Sequence, residues 1–161
     1  MPVTQKTVSW WSWLGLSVLV IALDQITKQS IVHAFTYREV LPVMPSFNLT
    51  LAYNTGAAFS FLAGAGGWQR LFFSAIAVIA SLVIVYLLRK HPDDRRFCLA
   101  ISLILGGALG NLWDRLTIGQ VVDFLQFYVG EYYWPSFNVA DSAIFLGAAL
   151  LIWDGFKNKT D

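Results

Sequence analysis

Two stretches of this chain, 71–88 and 97–113, contain no charged side chain, and two more, 13–32 and 139–156, are almost as apolar. At ~1.5 Å rise per residue, helices of roughly 17 to 20 residues cover about 26–30 Å, the thickness of a bilayer's hydrocarbon core. A soluble domain of this size carries about 25% charged residues, whereas only 13% of these 161 are charged and 57% are hydrophobic. The pattern predicts a membrane all-α fold, a single domain over 1–161 with helices at about 13–32, 68–89, 97–115 and 139–156. Lys6 precedes the first block as in a secretory signal. That block, however, lacks a small-residue cleavage site and contains Asp24 and Lys28, so it reads as a retained helix.

Basic residues set the expected orientation. Arg89, Lys90, Arg95 and Arg96 crowd the loop between the second and third helices, with Lys6 before the first helix and Lys157 and Lys159 after the fourth. The bias of Lys and Arg toward the cytoplasm puts both termini inside, and the segments 33–69 and 116–137 outside. The first outer segment alternates: Phe47, Leu49, Leu51 and Tyr53 interleave with Asn48, Thr50, Ala52 and Asn54. That period of two predicts a strand, with 40–44 around Pro42 as an edge partner, and so a small periplasmic β-subdomain over about 38–62. An exposed edge on the 47–53 strand is also expected to hold an extended peptide. The glycine-rich run 63–67 is a flexible break before helix 2. The second outer segment, rich in Phe, Tyr and Trp, reads as a short amphipathic helix lying in the headgroup layer.

Several functions are excluded early. A net charge of +1 gives no field to draw nucleic acid. The single cysteine, Cys98, forms no internal disulfide and no multi-cysteine metal site, and it is expected to lie far from any histidine. His33 and His91 fall in loops on opposite sides, without a zinc-protease motif, so neither metal nor cofactor is expected.

The polar residues inside the apolar frame need explaining, because an ionisable group at the bilayer centre costs at least ~2.5–3.5 kcal/mol. Asp24 and Lys28 stand four apart on one face of helix 1, either an ion pair that pins that helix or a wall of a site. Gly106 and Gly110 have the spacing of close helix packing. The last turns of helix 3 hold Asn111, Asp114 and Arg115, and Asp123 follows between hydrophobic residues. Asn138 is a natural N-cap for helix 4, which puts Asp141 in the first turn, where the helix dipole complements a carboxylate. Asp24, Asn54, Asn111, Arg115, Asp123, Asn138 and Asp141 come from five separate stretches, yet the topology gathers all of them in the outer half. Two carboxylates held together at low dielectric share a proton and can activate a water, which is peptide hydrolysis without metal or covalent intermediate. A small transporter that uses Asp24, Lys28 and Asp141 as a proton relay is the principal alternative, and a non-catalytic assembly factor is a second.

The stretches 24–28 (DQITK), 54–60 (NTGAAFS), 110–115 (GNLWDR), 121–124 (VVDF) and 137–141 (FNVAD) resemble, in register, the lipoprotein signal peptidases, or signal peptidase II. Trp113 stands where that family more usually has an aliphatic residue, a change expected to affect lipid-facing packing only. The resemblance implies an aspartic endopeptidase that removes signal peptides from diacylglyceryl-modified bacterial prolipoproteins, on the N-terminal side of the lipidated cysteine. It implies Asp123 and Asp141 as the catalytic dyad. Asp24, Lys28, Asn54, Gly107, Asn111, Arg115 and Asn138 would support that dyad or line the substrate site. The expected partners are lipid-modified prolipoprotein, membrane lipid and globomycin-type peptide inhibitors, with no nucleic acid. The expected setting is a bacterial inner membrane, with a monomeric enzyme whose site faces the periplasm.

Overall fold

The computed structural model describes residues 9–56 and 67–157. Four helices, α1 (Trp10–Ala34), α2 (Trp68–Lys90), α3 (Arg95–Thr117) and α4 (Val139–Lys157), are each long and apolar enough to cross a membrane. Four strands, β1 (Val40–Met44), β2 (Phe47–Asn54), β3 (Val121–Val129) and β4 (Tyr132–Tyr133), complete the fold. This is the expected four-helix membrane protein with a small β-subdomain.

α3 is the central helix and packs on the other three. Its glycines allow this, because a side chain at those positions would collide with a neighbouring helix. A Cβ on Gly106 would lie 2.6 Å from the Val20 side chain of α1, and one on Gly107 would overlap the Ala140 carbonyl of α4. The stripe of small residues therefore lets α1 and α4 approach α3 from two sides. Cys98, Ile101 and Leu105 of α3 pack with Ile84 and Leu88 of α2 to form one apolar core. The outward faces are greasy: Leu71, Phe145, Trp153 and Phe156 are each more than 70% exposed. Trp113, at 58% exposed, also points outward. Apolar surface of that extent belongs against lipid, and the chain is a multi-pass membrane protein.

The sheet caps one end of the bundle, in the antiparallel order β1-β2-β3-β4. Ile31 of α1, Leu51 of β2, and Val122 and Phe124 of β3 form a second core that docks it there. β2 pairs with β1 on one side (Leu41 opposite Leu49) and with β3 on the other (Leu49 opposite Leu125, Ala52 opposite Asp123). Two sequence expectations are corrected here. The segment after α3 is a β-hairpin, not an amphipathic helix, because β-branched and aromatic residues favour strands and β2 needs a second partner. Being central, β2 has no free edge for a peptide; the edge strands are β1 and β4. Of the glycine-rich break only Gly67 lies within the described residues, where it precedes α2 in a left-handed conformation (φ 99°). Residues 63–66, the 57–62 part of the expected β-region, and Lys6 and Lys159 lie outside them.

Candidate active site

The sheet end of the bundle contains every buried charged residue among those described: Asp24, Lys28, Asp114 and Asp123. A relay through the bundle would need such groups at the other end as well.

Asp123 is the third residue of β3. Its predecessor, Val122, is held on both backbone groups by side chains. The Val122 amide donates to Asp114 Oδ2 at 3.2 Å, and the Val122 carbonyl accepts from Asn138 Nδ2 at 3.2 Å. Asp141 is placed by the cap of α4: the Asn138 Oδ1 accepts the Asp141 amide at 2.8 Å, the N-cap bond expected from the sequence. α1 grips the same turn, since Asp24 Oδ1 accepts the Ala140 amide at 2.9 Å. On the other side, Gly107 packs against Ala140 and Ile144 and so sets how closely this turn approaches α3.

Three asparagines serve the two aspartates, and the orientation of each amide is fixed by what its oxygen accepts. Asn54 Oδ1 accepts the Gly56 amide at 2.9 Å, leaving Nδ2 to donate to Asp123 Oδ2 at 3.2 Å. Asn138, pinned through the Asp141 amide, donates to Asp123 Oδ1 at 2.7 Å. Asn111 Oδ1 accepts from Lys28 Nζ at 2.9 Å and from Asn138 Nδ2 at 3.2 Å, so its own Nδ2 donates to Asp141 Oδ1 at 2.7 Å. Both carboxylates thus belong to one hydrogen-bonded chain, Asp123–Asn138–Asn111–Asp141.

Asp123 is buried at 3% exposure. Burial, and then the charge of Asp141, push its carboxyl up from 3.8 to about 7, against the opposing pull of Asn54, Asn138 and Lys28. Near neutral pH it can therefore carry a proton, and a protonated carboxyl donates as well as accepts.

Lys28, fully buried, sits between two carboxylates, at 2.7 Å from Asp24 and 2.9 Å from Asp114. The i, i+4 pairing of Asp24 and Lys28 was legible in the sequence. The participation of Asp114, and of Gln25, which donates to Asp114 Oδ1 at 2.8 Å, was not. The available signal was that Asp24, Gln25 and Lys28 share one helix face, and that a side chain at the end of α3 would have to answer the excess charge. Arg115 reaches the other way: its Nη2 donates to the Gly56 carbonyl at 2.9 Å, and its guanidinium lies 5.5 Å from the Phe73 ring centroid.

A groove of about 1190 Å³ runs between α2 and α4 over the surface of α3, beneath the β3–β4 hairpin. Its walls are apolar, with Phe73, Ala108 and Phe145 among them, and Asn54, Asn111, Arg115 and Asp141 supply polar groups. Asp141 thus lines a trough able to take a largely hydrophobic chain, and Asp123 is joined to it through Asn138 and Asn111.

A family model described as signal peptidase (SPase) II matches residues 16–157. The chain belongs to the signal peptidase II family. Proteins named lipoprotein signal peptidase from Ralstonia nicotianae and Burkholderia mallei are 59% and 57% identical to it over 145 residues, which is 90% of this chain and 84% and 87% of theirs. Two solved structures of bacterial membrane enzymes share its fold. One has a TM-score of 0.87 and 33% identity over 97% of this chain and 94% of the other; the second has 0.79 and 34% over 92% and 95%. Cys98 lies well away from the sheet end, in the core between α2 and α3. The expectation that no histidine lies near that thiol is corrected, because Cys98 Sγ donates to the His91 carbonyl at 3.0 Å. The contact is with backbone, and it closes the α2–α3 loop.

Proposed function

We propose that this signal peptidase II family member is a membrane aspartic endopeptidase. It cuts diacylglyceryl-modified bacterial prolipoproteins on the N-terminal side of the lipidated cysteine, with Asp123 and Asp141 as the reacting pair. The observation that carries the proposal is the chain Asp123–Asn138–Asn111–Asp141 beside the apolar groove. Asp141 takes a proton from water as the water oxygen bonds to the scissile carbonyl carbon. Asp123 gives its proton to the leaving nitrogen as the carbon–nitrogen bond breaks, and the pair is left with one proton in total. No metal or cofactor takes part. Arg115 lies at the groove's polar end, where it suits a peptide carbonyl, and Asp24, Lys28, Asn54, Gly107, Asn111 and Asn138 hold the pair in place.

The membrane setting supports the same reading. Arg89, Lys90, Arg95 and Arg96 lie at the end of the bundle opposite the sheet, so the positive-inside bias puts that end and both termini in the cytoplasm. The aspartates then face the periplasm of an inner membrane, at the depth where a signal peptide leaves the bilayer. The groove suits globomycin-type peptide inhibitors by the same apolar and polar division. The chain works as a monomer, since a single copy supplies the groove, Asp123 and Asp141.

The test is cleavage of a prolipoprotein carrying the diacylglyceryl group, against the same substrate with its cysteine replaced by serine and so unmodified. Mass spectrometry of the product should place the cut before the lipidated cysteine. A cut at another bond, or equal cleavage of the unmodified substrate, contradicts the proposal.

A further inference from the structure

We infer that Lys28 is a positioning residue for the cleavage step, acting on Asp141 through the Asn111 side chain whose amide it orients. The inference rests on Asp123 and Asp141 being the reacting pair, and it assigns Lys28 a task distinct from pinning α1 or touching substrate.

An ammonium has three donors and no acceptor. Those of Lys28 are all engaged: Asp24 Oδ2 at 2.7 Å, Asp114 Oδ2 at 2.9 Å and Asn111 Oδ1 at 2.9 Å. The side chain is fully buried, so no donor and no surface remain for substrate. Pinning α1 needs only a carboxylate. The third bond does something else, because a donor-only group beside Asn111 dictates which end of that amide faces it. With the oxygen committed to Lys28, the amide nitrogen must point to Asp141. A flipped Asn111 would set its NH2 against the ammonium and against the Asn138 NH2, and turn its oxygen toward the Asp141 carboxylate. Every one of those contacts is unfavourable.

Lys28 is itself immobilised from two helices. Asp114 Oδ1 accepts from Gln25 and its Oδ2 from the Val122 amide, while Asp24 also accepts from the Ala140 amide. The charged groups around it are Asp24 on α1, Asp114 and Arg115 on α3, Asp123 on β3 and Asp141 on α4. Among these acids Lys28 also contributes charge, since its ammonium is one of the influences that hold the Asp123 carboxyl down. Removing it lets the Asp123 carboxyl rise further, so the descending, alkaline-side limb of the rate profile moves to higher pH.

The experiment is a double-mutant cycle on the purified full-length enzyme, with a lipid-modified prolipoprotein as substrate. Lys28→Met keeps the apolar stem and removes the donors; Asn111→Leu removes the amide through which Lys28 is said to act. Lys28→Met should lower kcat about 10- to 100-fold, the usual effect of a partner that orients a reacting group's ligand, with KM little changed. In the Asn111→Leu background the same change should add less than about threefold, because the route is already cut. The alkaline limb should shift upward in Lys28→Met. Lys28→Met/Asp24→Asn keeps the buried charge nearer balance and should show the same kcat loss, which covers the case where the single variant folds poorly. Losses that multiply in the double variant, an unshifted alkaline limb, or wild-type kcat in Lys28→Met/Asp24→Asn each overturn the inference. Asp141→Asn measured alongside reports on the aspartate pair separately, since cleavage retained there sinks the pair whatever Lys28 does.

Discussion

Replacing Asp123 by asparagine reverses the sign of its effect on stability across the pH range. The folded protein holds the Asp123 proton up to about pH 7, whereas an unfolded chain releases it near 3.8. Between those values the folded state binds the extra proton, so stability from this group is fully present below the lower value and is lost as pH rises through the upper one. At ~1.4 kcal/mol for each tenfold change in proton affinity, the interval amounts to about 4 kcal/mol. Asparagine cannot ionise and escapes that loss. It does bring an NH2 against the Asn54 or Asn138 donors, a buried mismatch of about 1–3 kcal/mol. Asp123→Asn should therefore be the less stable protein at about pH 4 and the more stable one at about pH 8.5, by about 1–3 kcal/mol each way. Thermal unfolding of the two proteins in one detergent reads this directly, at about 2–4 °C per kcal/mol for a chain of this size. A constant Tm difference between acid and alkaline buffer would refute the burial argument.

Other outcomes follow from the same geometry. Asn138→Ala removes the α4 cap and the 2.7 Å donor to Asp123, and should cost about 2–4 kcal/mol by thermal unfolding along with most of the activity. Gly107→Ala forces α4 away from α3 at the turn carrying Asp141, and should cost about 1–3 kcal/mol and depress kcat. Gly155→Ala, with open space around it, should leave activity unchanged. Cleavage should decline above about pH 7 as Asp123 loses the proton destined for the leaving nitrogen, a fall that the pH profile of kcat checks. EDTA should leave the rate unaltered; inhibition reversed by added zinc would contradict a mechanism run by two carboxylates.

The bundle was readable because membrane spans obey a length rule, and segments such as 71–88 have no soluble alternative. The Asn138 cap and the Asp24–Lys28 pair were readable because both are local, set by helix periodicity within a few residues. The β1–β2 pairing was readable from the apolar–polar alternation along Phe47–Asn54, even though the residues the fold buries there are Asn48, Thr50 and Leu51. β3 gave no such signal, since Val121, Val122, Asp123 and Phe124 are all buried and strand alternation disappears where both faces are covered. Its aromatic tail then resembled an interfacial helix by composition alone. The pairing of Asp114 with Lys28 was not readable for a different reason. An Asp-Arg pair at a helix end is ordinary in itself, and only the packing of α1 on α3 brings Lys28 within 2.9 Å of it. Long-range placement of that kind depends on how the glycines of α3 let its neighbours approach.

One comparison reaches the core of the account. Asp123→Asn and Asp141→Asn, each purified, folded and presented with lipid-modified prolipoprotein, should cleave at least about 1000-fold more slowly than the parent enzyme, because two groups that act as one unit fail together. Either variant cutting at a rate near the parent's would show that these two carboxylates are not the ones that break the bond.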